Sequence, residues 1–425
     1  MKQKLFLVWM LAVLQLHATS ITSLLDTLEK RPEHRLDLLD VEKSALGQQA
    51  VHDKLMPTVN LYGGYETYSS PNGLLPVVPN ELIGMVKNQS IGQPFSKKIL
   101  REGLNFTWPL FVKSIYTLED KAALLNLAAK EKQKLNFIQR EAVVVGSVAQ
   151  LRYLESLQAA LHSKKRSINQ TKITTKMKVK EGRVPQSALF VLNSHINDLD
   201  IGINNLEQNI NLLHSKIETL TGIHLKHSVP LRVRQHIQKR GIFALKPLQK
   251  KVQASQKGVQ AAKEAYIPSI ITKGGYTYSQ ADAYNNDKAL REGFGSAGIY
   301  VSMPIFDSSK NTATEQAKVA YLREKTTLEQ TAHNLTVQAR QLEREIHLLR
   351  KSVTLAQHSV SDQRRLLKIA KVSLANTTIT QEEYLRYEDA LADAKATLYK
   401  AEAQKWQDMA QLAVIYGNDL RRIVK

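Results

Sequence analysis

Gly103-Leu-Asn-Phe-Thr-Trp-Pro-Leu-Phe111 and, 195 residues later, Gly298-Ile-Tyr-Val-Ser-Met-Pro-Ile-Phe306 are two copies of one pattern. In the first, Leu104, Phe106, Trp108 and Leu110 alternate with Asn105 and Thr107. In the second, Ile299, Val301, Met303 and Ile305 alternate with Tyr300 and Ser302. Alternation with period two sends successive side chains to opposite faces of a strand, so each copy predicts a strand with one apolar and one polar face. A second echo precedes each copy: Pro57-Thr-Val-Asn-Leu-Tyr-Gly-Gly-Tyr65 and Pro268-Ser-Ile-Ile-Thr-Lys-Gly-Gly-Tyr276, offset by 211. Here Tyr65, Tyr276 and Tyr278 fall on the side of Val59 and Ile270. Thr221-Gly222 and Tyr416-Gly417 close the halves, again 195 apart, and the loop between paired strands absorbs the difference in offset. The chain is internally duplicated.

Working outward, strands are predicted at about 57–68, 104–111, 268–279 and 298–306, with turn-rich loops at about 70–97 and 280–296. Each second strand is followed by a very long helical stretch, about 112–178 and 308–375, and then by a further helix, about 184–221 and 380–417. Leu328, Ala332, Leu335, Ala339, Leu342, Ile346, Leu349, Val353, Ala356 and Val360 step by four and three, as does the run from Leu189 to Leu220. A sustained period of 3.5 specifies coiled-coil packing. A helix of that length is on the order of 100 Å long, far more than a globular core needs. The first repeat therefore occupies 19–222, a linker 223–244, and the second repeat 245–425.

Composition narrows the class. The chain of 425 residues has 43% hydrophobic but only 6% aromatic content, 19 Gly and 12 Pro, which suits neither disorder nor an ordinary all-β fold. It contains no Cys, excluding disulfide scaffolds, thiol catalysis, Cys-based zinc sites and a lipid-modified cysteine. Lys2 and Lys4, the apolar run Leu5 to Leu16 and the small residue Ala18 read as a secretory signal, residues 1–18. That run is too short for a membrane anchor, which needs roughly 20 apolar residues. Removing the signal lowers the formal charge from +20 to +18. The mature protein is expected to be exported without an apolar helix to hold it in a membrane.

Four strands cannot close a barrel, and unpaired backbone groups in lipid cost several kcal/mol each. If these strands cross a membrane, several chains must pool them, and three would supply twelve. The polar faces would line water while the apolar faces meet lipid. With these residues in view, the sequence resembles the TolC family of outer-membrane efflux proteins over residues 21 to 418. The resemblance implies a mainly α fold with a small β part: repeated helix, strand, strand, long helix, helix, assembled as a homotrimer whose 12-stranded β-barrel continues into a coiled-coil α-barrel. Phe106, Trp108, Tyr65, Tyr276, Ile299 and Val301 are the expected lipid-facing residues. Asn105, Thr107, Lys273 and Ser302 are expected to face the lumen.

The resemblance also gives roles to the turns between long helices. The first reads Lys178-Val-Lys-Glu-Gly182-Arg-Val-Pro185, the second Asn376-Thr-Thr-Ile-Thr380-Gln-Glu-Glu. Gly182 suits a left-handed backbone, Asn376 is expected to substitute for it, and Thr380 with Glu383 fits a capping box. A periplasmic adaptor (membrane fusion protein) is expected to dock at Gly182, Val184, Pro185, Asn376, Thr377 and Ile379. Family members often carry an acidic residue six positions after the turn; Ala188 and Glu382 take that place, with Glu383 beside the latter. Glu382 and Glu383 are the candidate gate, against the simpler reading of a helix cap and a solvated carboxylate.

Other signals carry less. Gly293-Phe-Gly295-Ser-Ala-Gly298 precedes a strand rather than a helix, so it is not a nucleotide fingerprint. His224 and His227 lack a third metal ligand. Lys176, Lys178, Lys180 and Arg183 make one tip basic without the aromatic residues a nucleic-acid surface would use. No catalytic grouping, cofactor or metal is expected. The reading is a non-enzymatic exit channel in the Gram-negative outer membrane, extending into the periplasm and serving an inner-membrane pump of RND or ABC type. Its cargo is small molecules or metal ions, with type I protein secretion as the alternative. The rival of another class is a secreted coiled-coil rod, structural or host-binding.

Overall fold

The structure, a computed structural model, describes residues 20–425; the predicted signal segment lies outside them. In chain order the elements are α1 (Ile21–Thr27), α2 (Pro32–His52), β1 (Thr58–Gly73), α3 (Pro79–Lys87), β2 (Phe95–Phe111), α4 (Lys113–Lys180), α5 (Ser187–Thr221), α6 (Lys246–Glu264), β3 (Ser269–Asp282), β4 (Ala289–Ser302), α7 (Ser308–Ala375), α8 (Gln381–Tyr416) and α9 (Leu420–Ile423). The two long stretches form α4 and α7, of 68 residues each. The chain divides into two units.

The helical unit comprises Lys132–Leu245, Thr331–Lys425 and the described residues before Asp40. Its core follows the heptads. Ile203, Leu206, Ile210 and Ile217 of α5 are buried, and so are Ala339, Leu342, Ile346, Val353 and Val360 of α7. Leu24, Val144, Leu151 and Ala413 are fully enclosed. Both α5 and α8 end on a left-handed glycine, Gly222 at φ 73° and Gly417 at φ 71°. A helix terminus favours glycine there because no Cβ crowds the carbonyl.

The linker is tied to the C-terminal segment. Arg232 and Lys425 exchange backbone hydrogen bonds at 2.8 and 2.9 Å, and Arg234 N–H donates to Ile423 O at 2.7 Å. Beneath it, fully buried Glu141 accepts the Leu420 N–H at 2.9 Å and lies 3.2 Å from Arg421 Nε. Burial outweighs these partners and pushes the Glu141 carboxyl up to about 8.

The sheet unit comprises Asp40–Glu131 and Lys246–Gln330. Its four strands are antiparallel in the order β1-β2-β3-β4, so the duplicated hairpins meet at the central β2–β3 pair and leave β1 and β4 as edges. Three boundaries depart from the alternation. β2 starts at Phe95, nine residues before 104, because β1 continues as its partner to Gly73. β4 ends at Ser302, not 306. Its partner β3 starts at Ser269, opposite Ser302, so Met303 to Phe306 have nothing to pair with and Pro304 has no N–H to offer. The predicted loop 280–296 shrinks to 283–288, since β3 and β4 stay paired out to Asp282 and Ala289. By contrast the β1–β2 connection, 74–94, carries α3. It is stitched to the short turn: Asn285 Nδ2 donates to Ile91 O at 2.9 Å, and Asn286 Nδ2 to Gln89 O at 3.0 Å.

Candidate channel wall and helix turns

Strand register sorts the expected wall residues. Val59 pairs with Phe106, Leu61 with Leu104, and Tyr65 with Leu100. Leu104 pairs with Tyr276 and Trp108 with Thr272; Thr272 then pairs with Ile299, and Ile270 with Val301. Directly paired residues share a face, so Tyr65, Phe106, Trp108, Tyr276, Ile299 and Val301 all lie on one. Most of that face is uncovered, Leu61 being 80% exposed and Tyr65 65%. Gly293 keeps it smooth: a Cβ there would sit 2.2 Å from the Tyr276 hydroxyl, where the ring now lies. Trp108 donates its indole N–H to Leu55 O at 3.2 Å, fixing the ring at the end of the sheet where β2 leads into α4.

The opposite face is polar. Thr107 pairs with Lys273 and Lys273 with Gly298, Asn60 Nδ2 donates to Asn105 Oδ1 at 3.2 Å, and Ser302 lies opposite Ser269. Asn105, Thr107, Lys273 and Ser302 thus share this face. Lys273 Nζ stands 5.8 Å from the centroid of the Tyr300 ring. Alternation alone did not single out the ion pair on this face, Arg101 Nε to Glu66 Oε2 at 2.8 Å. The Arg101 guanidinium also donates to Gly73 O at 2.7 Å and so ties the hairpin end.

The two long-helix turns prove to be one structure used twice. After α4, Gly182 N–H donates to Val179 O at 3.0 Å and Arg183 N–H to Lys178 O at 2.9 Å. After α7, Thr377 N–H donates to Leu374 O at 3.0 Å and Thr378 N–H to Ser373 O at 2.9 Å. Both are Schellman motifs, the second displaced by 195 residues throughout. The left-handed residue is Gly182 (φ 72°) in one and Thr377 (φ 57°) in the other. This corrects the expectation for Asn376. Residue type pointed to asparagine, but hydrogen bonding places the left-handed step one residue later, where a β-branched side chain is strained. The constant offset from Gly182 was the signal that would have found it.

The same shift moves the sixth position after the turn from Glu382 to Glu383, the counterpart of Ala188. Glu383 is already engaged: its Oε2 accepts the Thr380 N–H at 2.8 Å, and Thr380 Oγ1 accepts the Glu383 N–H at 3.2 Å. These bonds, the backbone one foremost, keep its carboxyl low. Glu382 accepts from Arg386 Nη2 at 3.0 Å. Val184, Pro185 and Ile379 lie within the turns, where Val184 and Ile379 are half-buried and Pro185 is exposed. No cluster of three or more metal-ligating side chains exists among the described residues. His224 Nδ1 is instead 2.9 Å from Glu218.

A four-stranded sheet with one exposed apolar face, joined to paired helices of 68 residues, defines the outer-membrane efflux channel fold. Solved structures share it at low identity. The outer membrane protein VceC of Vibrio cholerae is 12% identical with a TM-score of 0.71, covering 94% of this chain and 96% of that one. The CmeC outer membrane channel of Campylobacter jejuni is 14% identical with a TM-score of 0.73, covering 93% and 84%. The open state of the MtrE outer membrane channel of Neisseria gonorrhoeae is 14% identical with a TM-score of 0.69, covering 95% and 90%. No curated protein matches the chain in sequence. Residues 243–418, nearly all of the second repeat, match the family described as outer membrane efflux protein. Those residues carry an outer membrane efflux protein domain, and nearly the whole chain shares the fold of these channels. Members of this family are channels rather than enzymes. No described helix is long and apolar enough to cross a membrane.

Proposed function

We propose that the chain is the passive exit duct of a tripartite export system in the Gram-negative outer membrane. Three copies pool their strands into a twelve-stranded barrel, β4 of each pairing with β1 of the next. The observation that carries this is the sheet itself: a largely exposed apolar face, bounded by two edges that are unpaired among the described residues. Lipid would cover the face, but only closure satisfies the edges. The exposed stripe Phe190, Ile201 and Leu212 on α5, at intervals of 11 residues, gives the helices a second apolar seam for a neighbouring copy.

In this reading Tyr65, Phe106, Trp108, Tyr276, Ile299 and Val301 meet lipid, and Asn105, Thr107, Lys273 and Ser302 line water. The adaptor docks at the Gly182 and Thr377 turns. Glu382 and Glu383 are the candidate gate, the former reached by Arg386 and the latter held in the Thr380 cap. Cargo is a small molecule or a metal ion, driven by an RND or ABC pump. The family description and the channel titles of the structural relatives support efflux over protein secretion. A secreted coiled-coil rod gives no account of the apolar sheet face. The test is reconstitution of the mature protein in planar bilayers together with gel electrophoresis before and after heating. A heat-modifiable trimer with stepwise conductance is expected. A monomer that stays soluble without detergent would end the proposal.

A further inference from the structure

From Ile223 to Lys263 the chain carries ten Lys and Arg and no Asp or Glu, half of the formal charge of +20 in less than a tenth of the length. The first half of this stretch is the linker of the helical unit. Arg232, Arg234, His236, Lys239 and Arg240 are all exposed there, and the backbone bonds to the C-terminal segment hold them on an ordered scaffold. Gln238 adds two more ties, its N–H donating to Asn418 Oδ1 at 2.9 Å and its carbonyl accepting from Asn418 Nδ2 at 3.0 Å.

Below the linker runs a groove lined by His236, Lys239, His347 and Arg350 over Ile237 and Met409. Its one carboxylate, Glu343, is already taken: Lys239 Nζ lies 2.7 Å away and the Tyr416 hydroxyl donates at 2.9 Å. Arg232, Arg234, Arg240 and Arg350 form no ion pair among the described residues. Arg350 also acts on Lys405, whose pKa is lowered mainly by burial and, against the raising effect of Glu402, by that guanidinium.

Fixed cations gathered around a spent carboxylate make a surface that attracts an external polyanion. The groove lining holds no Phe, Tyr or Trp, which argues against a protein partner, since such interfaces are anchored by aromatic residues in a dry centre. Glu155, which accepts the linker's Ser228 N–H, and Glu141, which accepts the Leu420 N–H of the C-terminal segment, sit near the middle of α4. On the reading of an outer-membrane duct, that level is aqueous periplasm rather than lipid.

We propose that the linker 231–240 with Arg350 binds the carboxylate-bearing glycan–peptide polymer of the cell wall and so fixes the channel laterally in the envelope. The proposal rests on the duct reading for its location, but its test does not require transport. Purified full-length protein in detergent is sedimented with insoluble wall sacculi at about 0.1 M salt. The salt is then raised to about 0.5 M, where the Debye length is shorter and exposed charges are screened. Binding that fades with salt, and that is lost when the wall carboxylates are amidated, is expected. The triple variant Arg234→Gln, Arg240→Gln, Arg350→Gln is expected to bind at least tenfold more weakly while still running as the wild-type oligomer. Lys172→Gln, Lys176→Gln, Lys180→Gln removes equal charge near the first turn and is expected to leave binding unchanged.

Three results would overturn the proposal: no sedimentation of the wild type, equal weakening by both variants, or loss of the oligomer in the linker variant. The last would show that the patch packs against another copy. Failure of the duct reading would appear separately, as absent conductance with wall binding intact.

Discussion

Leu24, Val144 and Leu151 of the helical unit are fully buried, whereas Leu61, Ile299 and Val301 of the sheet are 80%, 69% and 68% exposed. The side chains are of one kind; what differs is who covers them. Heptad positions turn inward, so α4, α5, α7 and α8 bury most of the heptad stripe within one chain, while Phe190, Ile201 and Leu212 of α5 stay exposed. The sheet has an apolar face with no layer over it, and its covering must come from outside. A residue's contribution to stability should therefore depend on solvent in the sheet and on neighbouring helices in the helical unit.

The largest expected effect tests the enclosed region through its buried acid. Because the folded state raises Glu141 from 4.5 to about 8, it keeps a proton that the unfolded chain has released. Stability is then fullest below about pH 4.5, falls as pH rises, and by pH 8 has dropped by roughly 3–5 kcal/mol. Denaturant midpoints between pH 5 and pH 8.5 should show this slope, and Glu141→Gln should flatten it. Next, Leu151→Ala should cost roughly 3 kcal/mol through the cavity it leaves, read from the same midpoints in any detergent. On the sheet, Leu104→Lys should cost about 2–3 kcal/mol in bilayers and far less in a loose micelle. Thr107→Lys on the polar face should be tolerated, and equal sensitivity of both positions would erase the contrast. The smallest effect concerns the duplicated turns: Thr377→Gly should relieve a strain of about 1 kcal/mol, and Gly182→Thr should introduce it. Thermal melts of the two variants should shift in opposite directions.

Much of this organisation was legible in the residues. The two sheet faces could be assigned because alternation survives wherever a strand has a partner on each side, as at Leu104 to Trp108. The strand end at Ser302 could not, because Met303 and Ile305 keep alternating after the partner strand has run out; pairing, not pattern, sets that boundary. The long helices were readable from heptads that the structure buries. At the second turn residue preference favours Asn376 for the left-handed step, whereas the constant spacing between repeats favours Thr377, which the structure adopts. The same spacing makes the capping Glu383, not Glu382, the counterpart of Ala188. The ion pair of Arg101 with Glu66 was hidden because its partners are 35 residues apart and meet only through the hairpin register.

In the proposed closure of three copies, the unequal hairpin ends decide how the ring is tiled. One hairpin closes in six residues, 283–288, while its duplicate needs 21, 74–94, and carries α3. In a circle built only from the longer hairpin, every tip carrying α3 would stand beside an identical tip. With two copies fused in one chain, the proposed ring would alternate a long tip bearing α3 with a short one.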